Sequence, residues 1–429
     1  MTYRSKIILG QGGGFMFSRF GFLQSTTTTL VSKRILQSSN ISTPIFSKKR
    51  SRRQDDDDCH HQPQSFIFVT NSVSHRGIDH RIINCGGCQH PLLSETRRFD
   101  LGFLPCFRPR RKPGSGKRGV HVRIAATCND LLLCHSTHPG DMARRVYYLC
   151  NPLTKKWRAL PHFCSKPPFM KDVVVGLVCY NQGNEFQVVR IHKRIAQVFS
   201  SKTNKWFKMD VPRYDSWFSG VNVMFSWNGI LFYANAYNIF AYNPLEPERC
   251  HMTDTPREPN EKTIDSMVFG VCEGSLQLLQ LCTYYGGGYF RVWELKDYEK
   301  GEWSLKYKLF FDEIDTDDKY LECELDYDRW QRIDILGLDP NHDGIIYICH
   351  SLEQHDPPKD PCSVPTRNFS CNLRTKEVKL LDANKLPISW ERVSDINNRL
   401  QGWESENIFQ YIIPERPSHV PVLRPAGSN

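Results

Sequence analysis

The chain lacks an acidic residue anywhere in its first 53 positions, lacks an apolar run long enough to cross a bilayer, and lacks a second C-x-x-C to pair with its single one, although it has 429 residues and 16 cysteines. Each absence excludes something. A membrane-spanning helix needs about 20 consecutive apolar residues, so a helical span is excluded and no membrane partner is expected. Cys85-Gly-Gly-Cys88 has no companion pair at zinc-ribbon spacing, and Cys59, His60, His61 and His90 do not supply one, so no metal site is expected. Gly114-Ser-Gly-Lys117 misses the phosphate-loop spacing and has Arg118 where magnesium chemistry needs a hydroxyl, which leaves a basic loop. Gly10-Gln-Gly-Gly-Gly14 has no strand-to-helix context. The histidines form no H-E-x-x-H, and Asp334, Asp339 and Asp343 flank a strand where turn chemistry accounts for them. No catalytic residue and no cofactor are expected, and the chain is not expected to be an enzyme.

The charge is localised. The formal net charge is +10, and ten basic residues lie among residues 1–53: Arg4, Lys6, Arg19, Lys33, Arg34, Lys48, Lys49, Arg50, Arg52 and Arg53. The other 46 Lys and Arg balance the 46 Asp and Glu, so the body is neutral and no nucleic-acid partner is expected. Within the body, the basic stretch 108–118 and the acidic stretch 312–328 are expected to be solvated loops. The N-terminal segment fits three roles: an organellar transit peptide, a nuclear import patch at Lys48-Lys-Arg-Ser-Arg-Arg53, or a plain disordered tail. With no secretory signal, the free thiols fit a reducing compartment, cytoplasmic or nuclear. Cys128, Cys134, Cys150, Cys179, Cys272 and Cys349 fall in strand-like runs, where cysteine acts as a small hydrophobe.

What the chain does contain is a repeat. Val146-Tyr-Tyr-Leu-Cys-Asn-Pro-Leu-Thr-Lys-Lys-Trp-Arg-Ala-Leu-Pro161 reads as two strands around a polar turn, a β-hairpin. Weaker copies run through 196–209, 239–252, 290–305 and 368–381. Each is preceded by another pair of apolar runs: 122–128 with 131–136, 173–179 with 186–192, 221–226 with 230–234, 267–272 with 276–281, and 333–338 with 345–350. These runs are short, β-rich and bounded by Gly, Asn, Asp and Pro, which excludes helices. The unit is four antiparallel strands repeated five times, the pattern of an all-β β-propeller. Free sheet edges are a liability, so a sixth blade is expected from both ends of the chain, using 66–69 and 99–104 before the repeats and 408–413 after them. About six four-stranded blades are expected, with five or seven as alternatives, over residues 66–415. A disordered basic tail is expected over 1–65 and a disordered C-terminal tail over 416–429.

Cys150-Asn-Pro-Leu-Thr-Lys-Lys-Trp-Arg-Ala-Leu-Pro161, Ala126-Thr-Cys-Asn-Asp-Leu-Leu-Leu-Cys134 and Arg291-Val-Trp-Glu-Leu-Lys-Asp-Tyr298 with Trp303 together resemble the plant F-box-associated β-propeller domain. The resemblance implies the substrate-recognition propeller of a cullin-type (SCF) E3 ubiquitin ligase adapter, with a protein substrate of unknown identity as partner. It also implies a cullin-ligase linker subunit as a second partner wherever an F-box accompanies the propeller. Residues 1–65 match no such F-box, so the chain as written is expected not to bind that subunit. An unattached regulatory binding propeller is the alternative, and a propeller enzyme or small-ligand binder is a further one.

Connection lengths point to one face. With strands labelled a to d from the axis outwards, the a–b and c–d turns are short, while the b–c connections 138–144, 283–288 and 352–367 and the d–a connections 162–171, 212–217 and 311–332 read as long. Recognition resides in loops on rigid scaffolds, and aromatic residues make effective anchors. Tyr214, Trp217, Tyr284, Tyr285 and Trp330 are therefore the expected partner contacts, the alternative being that they cover blade edges. Trp157, Trp206 and Trp303 are expected to pack between neighbouring blades, where truncating a fully buried indole costs about 3–5 kcal/mol.

Overall fold

The computed structural model describes residues 65–74, 77–84, 101–107, 121–137, 146–162, 173–180, 184–192, 194–211, 224–259, 264–284, 287–316, 333–351, 366–381, 408–414 and 417–421. All lie in one compact unit, residues 61–429. Strands β1 (Ser65–Ser74) and β2 (Gly77–Asn84) precede five four-stranded antiparallel sheets. Blade one is β3 (His121–Cys128), β4 (Leu131–Thr137), β5 (Tyr147–Asn151) and β6 (Lys156–Ala159). Blade two is β7 (Val173–Tyr180), β8 (Glu185–His192), β9 (Ile195–Ser200) and β10 (Lys205–Asp210). Blade three is β11 (Phe225–Trp227), β12 (Ile230–Ala234), β13 (Asn238–Tyr242) and β14 (His251–Asp254). Blade four is β15 (Ser266–Cys272), β16 (Ser275–Tyr284), β17 (Gly287–Asp297) and β18 (Glu302–Phe310). Blade five is β19 (Ile333–Leu338), β20 (Ile345–Ser351), β21 (Thr366–Asn372) and β22 (Val378–Leu380). The last strand, β23 (Ile408–Ile413), pairs with β1 to make a three-stranded sheet in the order β2-β1-β23.

The core is distributed over six hydrophobic clusters, one at each seam between neighbouring sheets, and they close a ring. Sheets buried on both faces explain the near-continuous apolar runs, such as Val173-Val-Val-Gly-Leu-Val in β7, all six of which are buried. The first strand of each blade is innermost, touching the first strand of the next, and crowding there demands small residues. A Cβ on Gly176 would approach Leu231 of blade three to 2.8 Å, and one on Gly270 would approach Leu338 of blade five to 2.9 Å.

The turns explain why the repeat is legible. Asn129, Asn228 with Gly229, and Glu273 with Gly274 take left-handed φ in the a–b turns, and Lys155, Asn204, Gly301 and Lys376 do so in the c–d turns. Asparagine tolerates that region and glycine occupies it freely. Asn151 Oδ1 accepts from the Leu153 N–H at 2.9 Å, Asn243 Oδ1 from the Leu245 N–H at 3.0 Å, and Asn372 Oδ1 from the Arg374 N–H at 2.9 Å. The recurring Asn is the start of a side-chain-closed turn.

The ring closes through both ends of the chain, with 66–69 and 408–413 in strands as expected and Gly77–Asn84 in the place expected of 99–104. β23 is the inner strand: Gln410 Nε2 donates to the Leu338 carbonyl of blade five at 3.3 Å, and Thr127 Oγ1 of blade one donates to the Gln410 carbonyl at 3.1 Å. β1 and β2 follow outwards. The sixth sheet has three strands among the described residues rather than four, and its outermost strand is Gly77–Asn84, a polar-rich run that carries little strand signal. Residues 101–104 instead form a turn, with the Leu104 N–H donating to the Leu101 carbonyl at 3.0 Å, before a short 3-10 segment Pro105–Phe107. Leu101 and Leu104 are nonetheless buried, in the seam between this sheet and blade one. Residues 417–421, within the stretch expected as a tail, run against blade one: the Ser418 N–H donates to Asp130 at 2.6 Å, and Asn151 Nδ2 donates to the Ser418 carbonyl at 2.9 Å.

The three indoles differ. Trp206 bridges two blades through a 2.8 Å bond from Nε1 to the Pro161 carbonyl, and Trp303 packs on the cluster between blades three and four. Trp157, expected between blades, is instead 38% exposed and meets Tyr148 of its own blade edge-on, while Trp206 and Trp303, also on outermost strands, reach the neighbouring blade or its seam.

Candidate partner-binding face

The a–b and c–d turns occupy one face of the ring, the turn face, and the b–c and d–a connections occupy the other, the loop face. Of the five expected contacts, Tyr284 is placed by the structure, on the loop face and 49% exposed. Tyr214, Trp217, Tyr285 and Trp330 lie outside the described residues, as do the Cys85–Cys88 pair and the 114–117 loop. The 283–288 connection is not a long loop: β16 and β17 stay paired out to Tyr284 opposite Gly287, which makes a tight hairpin. Tyr284 is thereby carried on the tip of a long, rigid ribbon, its ring 6.4 Å from that of Tyr289.

On the neighbouring blade the b–c turn is also short and carries the most exposed large aromatic residue among the described ones, Tyr237, at 70%. Its backbone is clamped. Asn235 Oδ1 accepts from the N–H groups of both Tyr237 and Asn238 at 2.8 Å, and the Thr255 N–H donates to the Tyr237 carbonyl at 2.9 Å. Thr255 Oγ1 also donates to the Asn235 carbonyl at 2.8 Å. The Arg257 guanidinium lies 5.4 Å from the Tyr237 ring centre and donates to the Ala236 carbonyl. An aromatic ring held outward by a fixed backbone and backed by arginine loses little conformational entropy on binding.

A charged pair links blade four to the segment that carries Arg257. Lys308 pairs with Glu258, and its ammonium is 4.6 Å from the Tyr289 ring centre. Beneath it the fully buried Arg291 donates from Nε to Gln280 Oε1 at 2.5 Å, an oxygen that also accepts from Trp293 Nε1 at 2.9 Å. Gln280 Oε1 thus ties Arg291 and Trp293 together under the platform. Asp265 ties the d–a segment down by accepting from the Thr283 N–H at 2.8 Å. A search by loop length misses Tyr237 because its connection is three residues long. An Asn followed two residues later by an aromatic residue at a blade corner was the available signal.

The thiols behave as packing groups or as coupled pairs. Burial pushes the thiols of Cys272 and Cys371 up to about 12, and Cys134 is also driven up, by burial and by Cys150, whose sulfur is 3.8 Å away. A hydrogen bond from Cys179 holds Cys128 down and raises Cys179 in turn. Among the described residues no three metal-capable side chains cluster.

No family model matches the chain. An F-box protein of Arabidopsis thaliana is 36% identical over 103 residues, which cover 20% of this chain and 28% of that protein. The match thus spans less than a third of the relative's length. Among solved structures, the WD40 domain of SCAP from fission yeast is 9% identical over 65% of this chain and 68% of its own, with a TM-score of 0.31. The β-propeller domain of the Trilobed protease from Pyrococcus furiosus is 7% identical over 62% and 71%, also with a TM-score of 0.31.

Proposed function

We propose that this chain is a protein-binding propeller, not an enzyme, and that it holds its partner on the loop face through Tyr237 and Tyr284. The clamped, 70% exposed Tyr237 backed by Arg257 is the observation that carries the assignment, since exposed aromatic residues with arginine on rigid supports are characteristic of interaction hot spots. The partial likeness to an F-box protein supports a finer role, in which the propeller recognises substrates for a cullin-type ubiquitin ligase and the linker subunit binds through an F-box accompanying it. In that role the β2-β1-β23 sheet serves as a sixth, incomplete blade, and the protein works in the cytoplasm or nucleus. The test is affinity capture with the full chain and with a Tyr237→Ala, Tyr284→Ala double variant, followed by identification of the bound proteins and of any linker subunit among them. Partners held by the wild type and lost by a folded double variant support the assignment; identical partner sets overturn it.

A further inference from the structure

Two rows of polar side chains face each other across the seam between blades one and two, at the loop-face end of the strands. In blade one, Arg123, His135 and Tyr147 stand opposite one another in register across β3, β4 and β5. In blade two, Arg190 and Gln197 are register partners across β8 and β9. Alternation along the strands puts both rows in this seam, because Val122 and Ile124 beside Arg123, and Val189 and Ile191 beside Arg190, belong to the clusters on the far sides of their blades. All five polar residues are more than nine-tenths buried, Arg190 being 7% exposed and Tyr147 4%. The rows touch where the Arg190 guanidinium lies 5.4 Å from the Tyr147 ring centre, with the His135 ring 5.8 Å from the same ring.

The seam is incomplete. Arg190 Nε and the Tyr147 hydroxyl are sealed from solvent and neither has a hydrogen-bond partner, and no carboxylate pairs with Arg190 among the described residues. In blade four the corresponding Nε, that of Arg291, is answered by the oxygen of its register partner Gln280. A buried guanidinium without an acceptor is unfavourable enough that it is ordinarily paired, and its planar fork matches the oxygens of a carboxylate or phosphoryl group. We propose that this seam is an oxyanion pocket that receives a carboxylate or phosphoryl group from a side chain of the bound partner, with Arg190 as the fork and Tyr147 and Gln197 as additional donors. The proposal rests on the protein-binding reading above, since the pocket lies at the face that presents Tyr237 and Tyr284.

The experiment offers the full chain three immobilised peptide libraries with degenerate flanks and a fixed central phosphoserine, glutamate or serine, and separately follows its thermal midpoint with inorganic phosphate. Arg190→Gln and Tyr147→Phe are compared with Lys205→Gln, which removes an exposed charge at the turn face. The wild type and Lys205→Gln should retain an acidic library about tenfold better than the serine library, as a charge-assisted hydrogen-bond set implies. Arg190→Gln should abolish that preference and Tyr147→Phe should weaken it, and the better retained of phosphoserine and glutamate identifies the group. Tyr147→Phe removes one hydroxyl and keeps the test decisive should Arg190→Gln fail to fold. Equal retention of all three libraries overturns the proposal, as does an acid preference unchanged in both pocket variants. Stabilisation by phosphate with no library retained also overturns it, because the pocket would then serve a free anion. Partner capture unaffected by the Tyr237 and Tyr284 substitutions would instead overturn the loop-face reading, while leaving the peptide result to stand by itself.

Discussion

Tyr307 on the outer strand of blade four donates its hydroxyl to Asp343, in the a–b turn of blade five, at 2.6 Å. Lys306 reaches the same carboxylate at 2.8 Å and Gln277 at 3.3 Å, and Arg374 completes the set while donating to the Tyr307 oxygen at 2.7 Å. A charged seam on the turn face thus joins two blades whose hydrophobic cluster lies beside it.

Burial of Asp343, 7% exposed in its side chain, would raise its pKa, but the donors from Lys306, Tyr307 and Gln277 outweigh that and hold it down at about 2. The folded value lies below the ordinary aspartate value of about 4, so the stabilisation is fully present above pH 4 and is lost as pH falls through about 2. Asp343→Asn should cost about 2 kcal/mol at neutral pH and flatten the fall in stability between pH 4 and 2. Urea unfolding across that range measures both.

Tyr237→Ala should leave the thermal midpoint within about 1–2 °C of the wild type, because a side chain mostly in water contributes little to folding. Partner capture should fall by about tenfold or more if Tyr237 is a hot spot. Scanning calorimetry and quantitative capture on the same preparation separate the two effects. A loss of stability without a loss of capture would contradict the placement of the binding face.

Trp206 is half-buried and ties blade two to blade one through the Pro161 carbonyl. Trp206→Phe should cost about 1 kcal/mol for the lost bond. Trp206→Ala should cost about 2–3 kcal/mol, less than a fully buried indole. Trp157→Ala should cost less than either, since that ring is 38% exposed and packs edge-on against Tyr148 of its own blade. Chemical denaturation of the three variants orders them.

The buried Asp130 carboxylate accepts from Asn151 Nδ2 at 2.7 Å and from the Ser418 N–H, so one side chain links a blade-one turn to the segment after β23. Asp130→Ala should destabilise by about 2–3 kcal/mol by leaving both donors without this acceptor. Amide exchange should show faster opening of β23 than of β9, because the substitution releases the closing strand first. Equal acceleration in both strands would show that the link does not govern closure.

The five repeats, the four-strand unit and the turn residues were legible in the sequence because each depends on contacts only a few residues apart. Asn151 closes its own turn on Leu153, and left-handed Asn129 or Gly274 sits where the chain must reverse at once. The face that presents Tyr284 was legible too, since strand alternation and connection order assign every corner to one side. Other features were not. The joining of the two ends was expected, but the place of β23 as the inner strand, in the gap between Leu338 and Thr127, is set by contacts between distant parts of the chain that leave no local pattern. Gly77–Asn84 is a strand because β1 offers it an edge, not because its own residues demand one. Tyr237 reads as an ordinary turn residue until Thr255 and Arg257, from the next connection, hold it outward. Arg190 and Arg291 look alike as single arginines in β-rich runs. Arg291 takes the oxygen of Gln280, its register partner on the next strand of the same blade, whereas Arg190 faces Tyr147 of the neighbouring blade and its Nε finds no acceptor, a difference set by the side chains that folding places opposite each arginine.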